Sequence, residues 1–412
     1  MKKVLFSSLL LSSISISQKS TVVDSQCLAK LKRSNYSSQI FSKLISDKKV
    51  LRRWGARQEW VLLKDCENGS KSELFETIEP NYIYHRFDTG PDSSPKDAKY
   101  SDLWAFKNSG QKDFQDTPGT VGADMQAEGA WALTRGSKSV VVAILDSGID
   151  VNHPDLKDNL WEMPGNKKVH GRNVIEGENP DSLKDDVGHG THVAGTIGAV
   201  GGNGRGVVGV NWQVGLMVVR GLNKDGGNAA DLAAGIQFAA DNGARVINAS
   251  WGGSGESQAI REAIEYAREK GVLFVAAAGN GGWDQIGDDN DHDDPMYPAS
   301  YPIDNIVSVA ASDHNDQLTA FSNFGIKSVH VMAPGWSILS TLPWGRYAVD
   351  SGTSMAAPQV SGAAALLLSH EPMLTYAELK NRILHSVDVQ PSAQGKVMSG
   401  GRLNLARLIG GK

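Results

Sequence analysis

Short apolar runs rich in Val, Ile and Ala alternate with longer stretches of helical period through most of this 412-residue chain. The strand-like runs fall at 139–145, 214–219, 244–249, 272–277, 305–310 and 328–332, and the helical patterns at 189–199, 228–242, 256–270, 353–369 and 375–385. A continuous β-branched run such as Ser139-Val-Val-Val-Ala-Ile-Leu145 has no polar face to turn to water, so it fits a strand buried on both sides. Strands of that kind separated by helices build a parallel sheet through crossover connections. The expected fold is α/β: a doubly wound, mostly parallel sheet with helices on both faces. Gly is abundant (45 residues) and hydrophobic residues make up 40%, which suits such a Gly-punctuated fold rather than a disordered chain.

Three islands put polar residues at the ends of these elements. They read Val142-Ala-Ile-Leu-Asp146-Ser-Gly-Ile-Asp150, Gly188-His189-Gly-Thr-His-Val-Ala-Gly-Thr-Ile-Gly198 and Gly352-Thr-Ser354-Met-Ala-Ala-Pro358. Asp146 closes a buried strand, and the carboxyl ends of such strands are where open α/β sheets build sites. His189 opens a helix whose small residues allow close packing. Ser354 begins another, where the helix N-terminus favours developing negative charge. A serine hydroxyl needs a base within hydrogen-bond reach and a third group to orient that base. Ser354, His189 and Asp146 are the residue types for those three roles. Taken singly, each has a plainer reading: a turn Asp, a helix-capping Ser, or a zinc-binding pair at His189 and His192. The zinc reading lacks a third ligand at sensible spacing and the His-Glu-x-x-His pattern.

The islands, in the order Asp, His, Ser, resemble those of the subtilisin-like serine proteases, the subtilases. The resemblance covers roughly residues 96–412 strongly and 58–87 weakly. It implies a subtilisin-like fold and peptide-bond hydrolysis with no catalytic cofactor. Ser354 would attack, His189 would carry the proton and Asp146 would orient His189. Asn280, at the end of Val272-Leu-Phe-Val-Ala-Ala-Ala-Gly279-Asn280, would donate its amide to the oxyanion beside the Ser354 N–H. An esterase of the α/β-hydrolase type would show Gly-x-Ser-x-Gly and the order Ser, acid, His; neither occurs. An inactive binding homologue would lack a catalytic residue, and all four are present.

Peptides bind proteases as an added strand, so Gly-rich edges beside the site are candidate substrate contacts. Ser250, Trp251 and Gly252 directly follow a buried strand, and Gly226 and Gly227 form a second edge. The resemblance sets both beside the substrate backbone, although paired glycines also serve simply as turns. Between Asn280 and Tyr297 runs a strongly acidic segment, Gly281 to Met296. Three readings stay open for it: a carboxylate favouring a basic P1 residue, a cation site, or a solvated loop. The resemblance further implies a structural calcium held by Asp155 and Asn203, with Asp97 of the entry segment and loop carbonyls completing the shell.

Residues 1–17 have a basic start, a short apolar core and small residues Ser15 and Ser17, and read as a secretory signal. Residues 18–95 read as a small α+β propeptide, inhibitor and chaperone of its own enzyme, plus a turn-rich linker at 88–95. Strands are expected at Gln58–Lys64 and Asn81–Arg86 and a helix at 36–46. The catalytic domain is expected from 96 to 412, opening on an entry strand region at 96–111. Residues 1–95 carry 15 basic and 10 acidic side chains, against 26 and 36 in the remainder. A basic front piece before an acidic body fits two mutually attracted parts and gives no sign of nucleic-acid binding. Cys27 and Cys66, the two cysteines, either pair or stay as thiols. The expected product is a secreted monomer without a membrane anchor, acting on protein or peptide substrates.

Overall fold

A computed structural model describes residues 22–32, 50–54, 60–64, 75–82, 94–282, 284–292 and 294–410. In the first of its two units, Met1–Thr89, four strands pair. They are β1 (Val22–Leu31), β2 (Val50–Trp54), β3 (Trp60–Lys64) and β4 (Phe75–Tyr82). All neighbours are antiparallel, in the order β2-β3-β1-β4. Ala29, Leu31, Val61 and Leu63 alternate along their strands and share one buried face. Of the strand expected at Asn81–Arg86, Asn81 and Tyr82 belong to β4, which starts earlier, at Phe75, where it pairs with Leu31 of β1; residues 83–86 lie outside the described residues. The signal segment, the helix at 36–46, Cys66 and most of the linker lie outside the described residues.

The second unit is Gly90–Lys412. Its elements run α1 (Ala127–Trp131), β5 (Gly136–Asp146), β6 (Gly171–Asn173), α2 (His189–Gly198), β7 (Gln213–Arg220), α3 (Ala229–Asp241), β8 (Val246–Ala249), α4 (Gln258–Glu269) and β9 (Leu273–Ala277). There follow β10 (Ile306–Ser312), β11 (Val331–Pro334), β12 (Ile338–Leu342), β13 (Arg346–Asp350), α5 (Thr353–His370), α6 (Tyr376–His385), β14 (Val387–Val389), β15 (Gly401–Leu403) and α7 (Leu405–Gly410). Nine strands form one sheet in the order β14-β15-β11-β10-β9-β8-β5-β7-β6. Every pairing is parallel except β14 with β15. This is the expected doubly wound α/β sheet.

Alternate residues of β5 enter opposite cores. Val142 and Ile144 pack with residues of α2 and α5, whereas Ala143 and Leu145 pack with α3 and α4. Period-two alternation with both faces apolar explains why the run reads as uninterrupted in the sequence. From β5 the chain builds β6 and β7 on one side and then crosses to β8 on the other, so the strand order reverses at β5 and opens a crevice at its carboxyl end.

Two expectations need correction. The entry segment at 96–111 is no strand; it is a series of turns with one short 3-10 helix, Tyr100–Asp102. Leu103, Trp104, Ala105 and Phe106 are consecutive and all buried, a plug rather than an alternating edge. The antiparallel hairpin of β12 and β13 had no counterpart among the expected strands. Its apolar alternation is interrupted by Ser340 and Thr341, which are buried because their hydroxyls donate to the backbone carbonyls of His192 and Thr191.

Candidate active site

Asp146 ends β5 in the crevice and is fully buried. Its Oδ1 accepts the Ser147 N–H at 2.7 Å and faces His189 Nδ1 at 2.8 Å. His189 is the first residue of α2, and Gly188 before it has φ 97°, a left-handed turn that admits glycine without strain. A Cβ on Gly190 would stand 2.2 Å from the Gly148 carbonyl, so glycine lets the helix sit directly on the end of β5. Burial pulls the His189 pKa down, but the Asp146 charge and hydrogen bond outweigh it, with Asp350 and Asp185 adding, and raise it to about 9.

Ser354 is the second residue of α5. Its Oγ donates to the Ser250 carbonyl at 3.0 Å, and among the described residues this, not His189, is its hydrogen-bond partner. In return Ser250 Oγ donates to the Ser354 carbonyl at 2.8 Å. Pro358, one turn along, has no N–H, so that carbonyl has no ordinary helical donor and Ser250 supplies one. Asn248 Nδ2 donates to Ser250 Oγ at 2.9 Å, and Asn248 Oδ1 accepts from Ser361 Oγ at 2.7 Å.

Asn280 Oδ1 accepts both the N–H and the hydroxyl of Thr353, at 2.9 and 2.8 Å. A backbone N–H can only donate, so the amide oxygen is fixed there and Nδ2 is free to face the crevice. A point one Cβ length from the Gly352 Cα would lie 3.3 Å from Asn280 Nδ2 and 3.6 Å from the Ser354 nitrogen. Two nitrogens able to donate thus border one small volume beside Ser354.

Residues 137–406 match the model of the subtilase family. The chain belongs to the subtilases. It is 35% identical over 337 residues to a thermophilic serine proteinase of Bacillus sp. (strain AK1), covering 81% of this chain and 73% of that one. It is 37% identical over 286 residues to thermitase of Thermoactinomyces vulgaris, covering 69% and 93%. A solved protease from Pseudoalteromonas arctica superimposes with a TM-score of 0.65 at 30% identity, over 77% of this chain and 99% of that one. This subtilase is accordingly a serine endopeptidase.

Beside Ser354 lies a cavity of about 220 Å³ lined by Trp251, Gly252, Gly279, Asn280, Met296 and Thr353 among others. Trp251 also anchors the edge to the sheet, its indole N–H donating to the Leu145 carbonyl at 3.0 Å. Gly226 lies elsewhere: it exchanges both backbone hydrogen bonds with Asn223 across a tight turn, and neither Gly226 nor Gly227 lines the cavity. Among the described residues no carboxylate of the acidic segment lines it either. Asp289 faces His292 and Asp284 accepts the Ile286 N–H within the loop, while Asp291 accepts the Lys327 and Ser328 N–H groups and so ties the loop to a distant turn. Trp283 and Asp293 lie outside the described residues.

Asp97, Asp155 and Asn203 come together. Asn203 Nδ2 donates to Asp155 Oδ1 at 2.7 Å, and Asp97 accepts the Gly202 N–H at 2.7 Å. Asp155 Oδ2 also accepts the Val207 N–H and the Tyr347 hydroxyl. Burial, and more weakly repulsion from Asp155, raise the Asp97 carboxyl above its usual range despite bonds from Gly202 and Asn203.

His192 is no partner of His189 in a metal pair. It is buried, and its Nε2 faces the Ile338 and Ala348 carbonyls at 3.0 and 3.1 Å, tying α2 to the hairpin. Sequence reasoning missed Thr353 as the residue that orients Asn280, Asn248 and Ser361 behind Ser250, and Met296 in the cavity. Adjacency to Ser354 was the one available signal, and it pointed at Thr353 alone.

Proposed function

We propose that this subtilase works through an Asp146–His189–Ser354 triad with an oxyanion hole made by Asn280 and the Ser354 N–H. The observation that carries the reading is the 2.8 Å contact between Asp146 and His189 Nδ1, with the Asn280 amide and the Ser354 nitrogen close together beside Gly352. With Nδ1–H given to Asp146, the Nε2 lone pair of neutral His189 is available as the base. Ser354 Oγ would exchange the Ser250 carbonyl for Nε2 by rotating about χ1 and attack the scissile carbonyl. The proton would pass through His189 to the leaving amine. Asp146 would hold the ring and stabilise the imidazolium, while Asn280 and the Ser354 N–H take the oxyanion charge.

Peptide main chain would run along Ser250–Gly252, with the P1 side chain in the cavity bounded by Trp251 and Met296. Among the described residues its lining holds no carboxylate, which supports uncharged P1 residues over Lys and Arg.

The reading extends to maturation and metal. Residues 1–17 would direct export and 18–95 would chaperone and inhibit before removal. The mature enzyme would act as a secreted monomer. Among the described residues no helix is long and apolar enough to cross a membrane. Asp97 and Asp155, two repelling carboxylates brought together by the Gly-rich loop at 199–209, suit a hard cation such as calcium. Asn203 would join by presenting Oδ1 in place of Nδ2. Calcium there would brace the loop and take no part in the chemistry.

The deciding experiment follows intact masses of wild type and Ser354→Ala, folded side by side with calcium. Wild type should lose the propeptide and the variant should retain it. If the variant matures unaided at the wild-type rate, Ser354 is not the nucleophile.

A further inference from the structure

Asp185 is a buried carboxylate that the proposed mechanism does not use, yet it bonds the chain neighbours of both members of the acid–base pair. Its Oδ1 accepts Ser147 Oγ at 2.9 Å, the Val187 N–H at 3.1 Å and the Gly188 N–H at 2.7 Å. Its Oδ2 accepts the N–H and hydroxyl of Thr191 at 2.9 and 2.6 Å. Ser147 is the residue after Asp146, and its Oγ accepts the Gly190 N–H at 2.9 Å. One carboxylate thereby gathers the first turn of α2, on which His189 rides, and the strand end that carries Asp146. No cationic side chain bonds it among the described residues. Five donors and the positive end of α2 compensate its charge.

We propose that Asp185 is a positioning residue for peptide hydrolysis: it locks α2 to the end of β5 so that His189 keeps its register with Asp146 while Ser354 changes partners. The inference rests on the triad reading above. The fit is tight, since a Cβ on Gly190 would already collide with the Gly148 carbonyl. A small slip of the helix would therefore move the imbalance onto His189, and misplacement on the order of 1 Å costs turnover about 10²-fold. Asparagine keeps the shape of Asp185 but not its role. Whichever way the amide turns, its NH₂ meets backbone N–H groups, from Thr191 on one side or Val187 and Gly188 on the other.

Asp185 also faces His189 electrostatically, together with Asp146 from β5 and Asp350 from β13, while burial drives the pKa of His192, on the next turn of α2, down to about 4, so that it is neutral where His189 titrates. Removing one negative charge should move the His189 titration to lower pH.

The test measures kcat and KM against pH for the full chain of wild type, Asp185→Asn and Ser147→Ala on a chromogenic peptide, with thermal unfolding as the folding check. Asp185→Asn should lose kcat by about 10²-fold with KM within about threefold, and its acid limb should shift to lower pH. Ser147→Ala removes one donor and the bridge to Gly190, and should lose kcat by about 5–10-fold at unchanged KM. It decides the matter if Asp185→Asn does not fold. Wild-type kcat in either folded variant overturns the proposal, as does a loss in Asp185→Asn with an unmoved acid limb, which would mark a purely structural residue. Failure of a fluorophosphonate to label wild-type Ser354 would instead overturn the triad reading beneath it.

Discussion

Ser250 and Ser354 hold each other: each hydroxyl donates to the other's backbone carbonyl, at 2.8 and 3.0 Å. The exchange joins the turn after β8 to the start of α5, and it exists because Pro358 leaves the Ser354 carbonyl without a helical donor. The residue proposed to border the substrate is thus also the residue that seats the proposed nucleophile.

Ser250→Ala should cost stability as well as rate. It strands the Ser354 carbonyl and one Asn248 amide proton, at about 1–3 kcal/mol for a buried polar group left unpaired. Urea unfolding in a Ser354→Ala background, which prevents self-digestion, reads this directly. An unchanged midpoint would show that another group takes over as donor.

Asn280→Ala should lower kcat about 10²–10³-fold with little change in KM, as expected for removing a donor aimed at the oxyanion. Thr353→Val leaves Asn280 in place but removes one of the two groups that fix its amide. A smaller loss, about 10-fold, is expected. Equal losses would mean that Thr353 contributes more than orientation.

Activity should rise with pH. Protonated His189 cannot accept the Ser354 proton, and its pKa is raised to about 9. The acid limb of kcat/KM should therefore lie well above the ordinary imidazole value and level off only in alkaline solution. Asp146→Asn removes the main cause of the elevation, so the limb should move down in pH while turnover falls about 10⁴-fold. A limb near 6.5 in the wild type would contradict this electrostatic picture.

Calcium removal should lower the melting temperature. A ligand about 100-fold above its Kd adds about 2.7 kcal/mol, which corresponds to about 4 °C in a unit of this size. Scanning calorimetry of the Ser354→Ala protein, with and without chelator, checks it. Asp155→Asn should abolish the calcium dependence.

Peptides with Leu or Phe at P1 should be cleaved faster than those with Lys or Arg, by about 10-fold or more in kcat/KM. A preference for basic P1 residues would require a carboxylate reaching the cavity beside Met296.

Much of this was readable from residue order. The buried run at 139–145 could be nothing but a two-sided strand, and β5 spans it. The helix at 353–369 agrees with α5 to one residue, because small apolar residues fill every face of it. The chemistry of Asp146, His189 and Ser354 followed from residue type beside glycine turns, and those turns exist for local steric reasons that a sequence records. Contacts between segments far apart in the chain left no such trace. Ser250 meets Ser354 across 104 positions, and Ser147 meets Asp185 across 38. The acidic segment illustrates the same limit: its charge was visible, but backbone N–H groups near Ser328 take up Asp291, and the cavity is left to Met296 and Trp251. Periodicity and turn chemistry are local, so they specify elements and candidate groups. Hydrogen-bond partners depend on which elements the sheet order sets side by side, and that follows from packing two apolar faces of β5 at once.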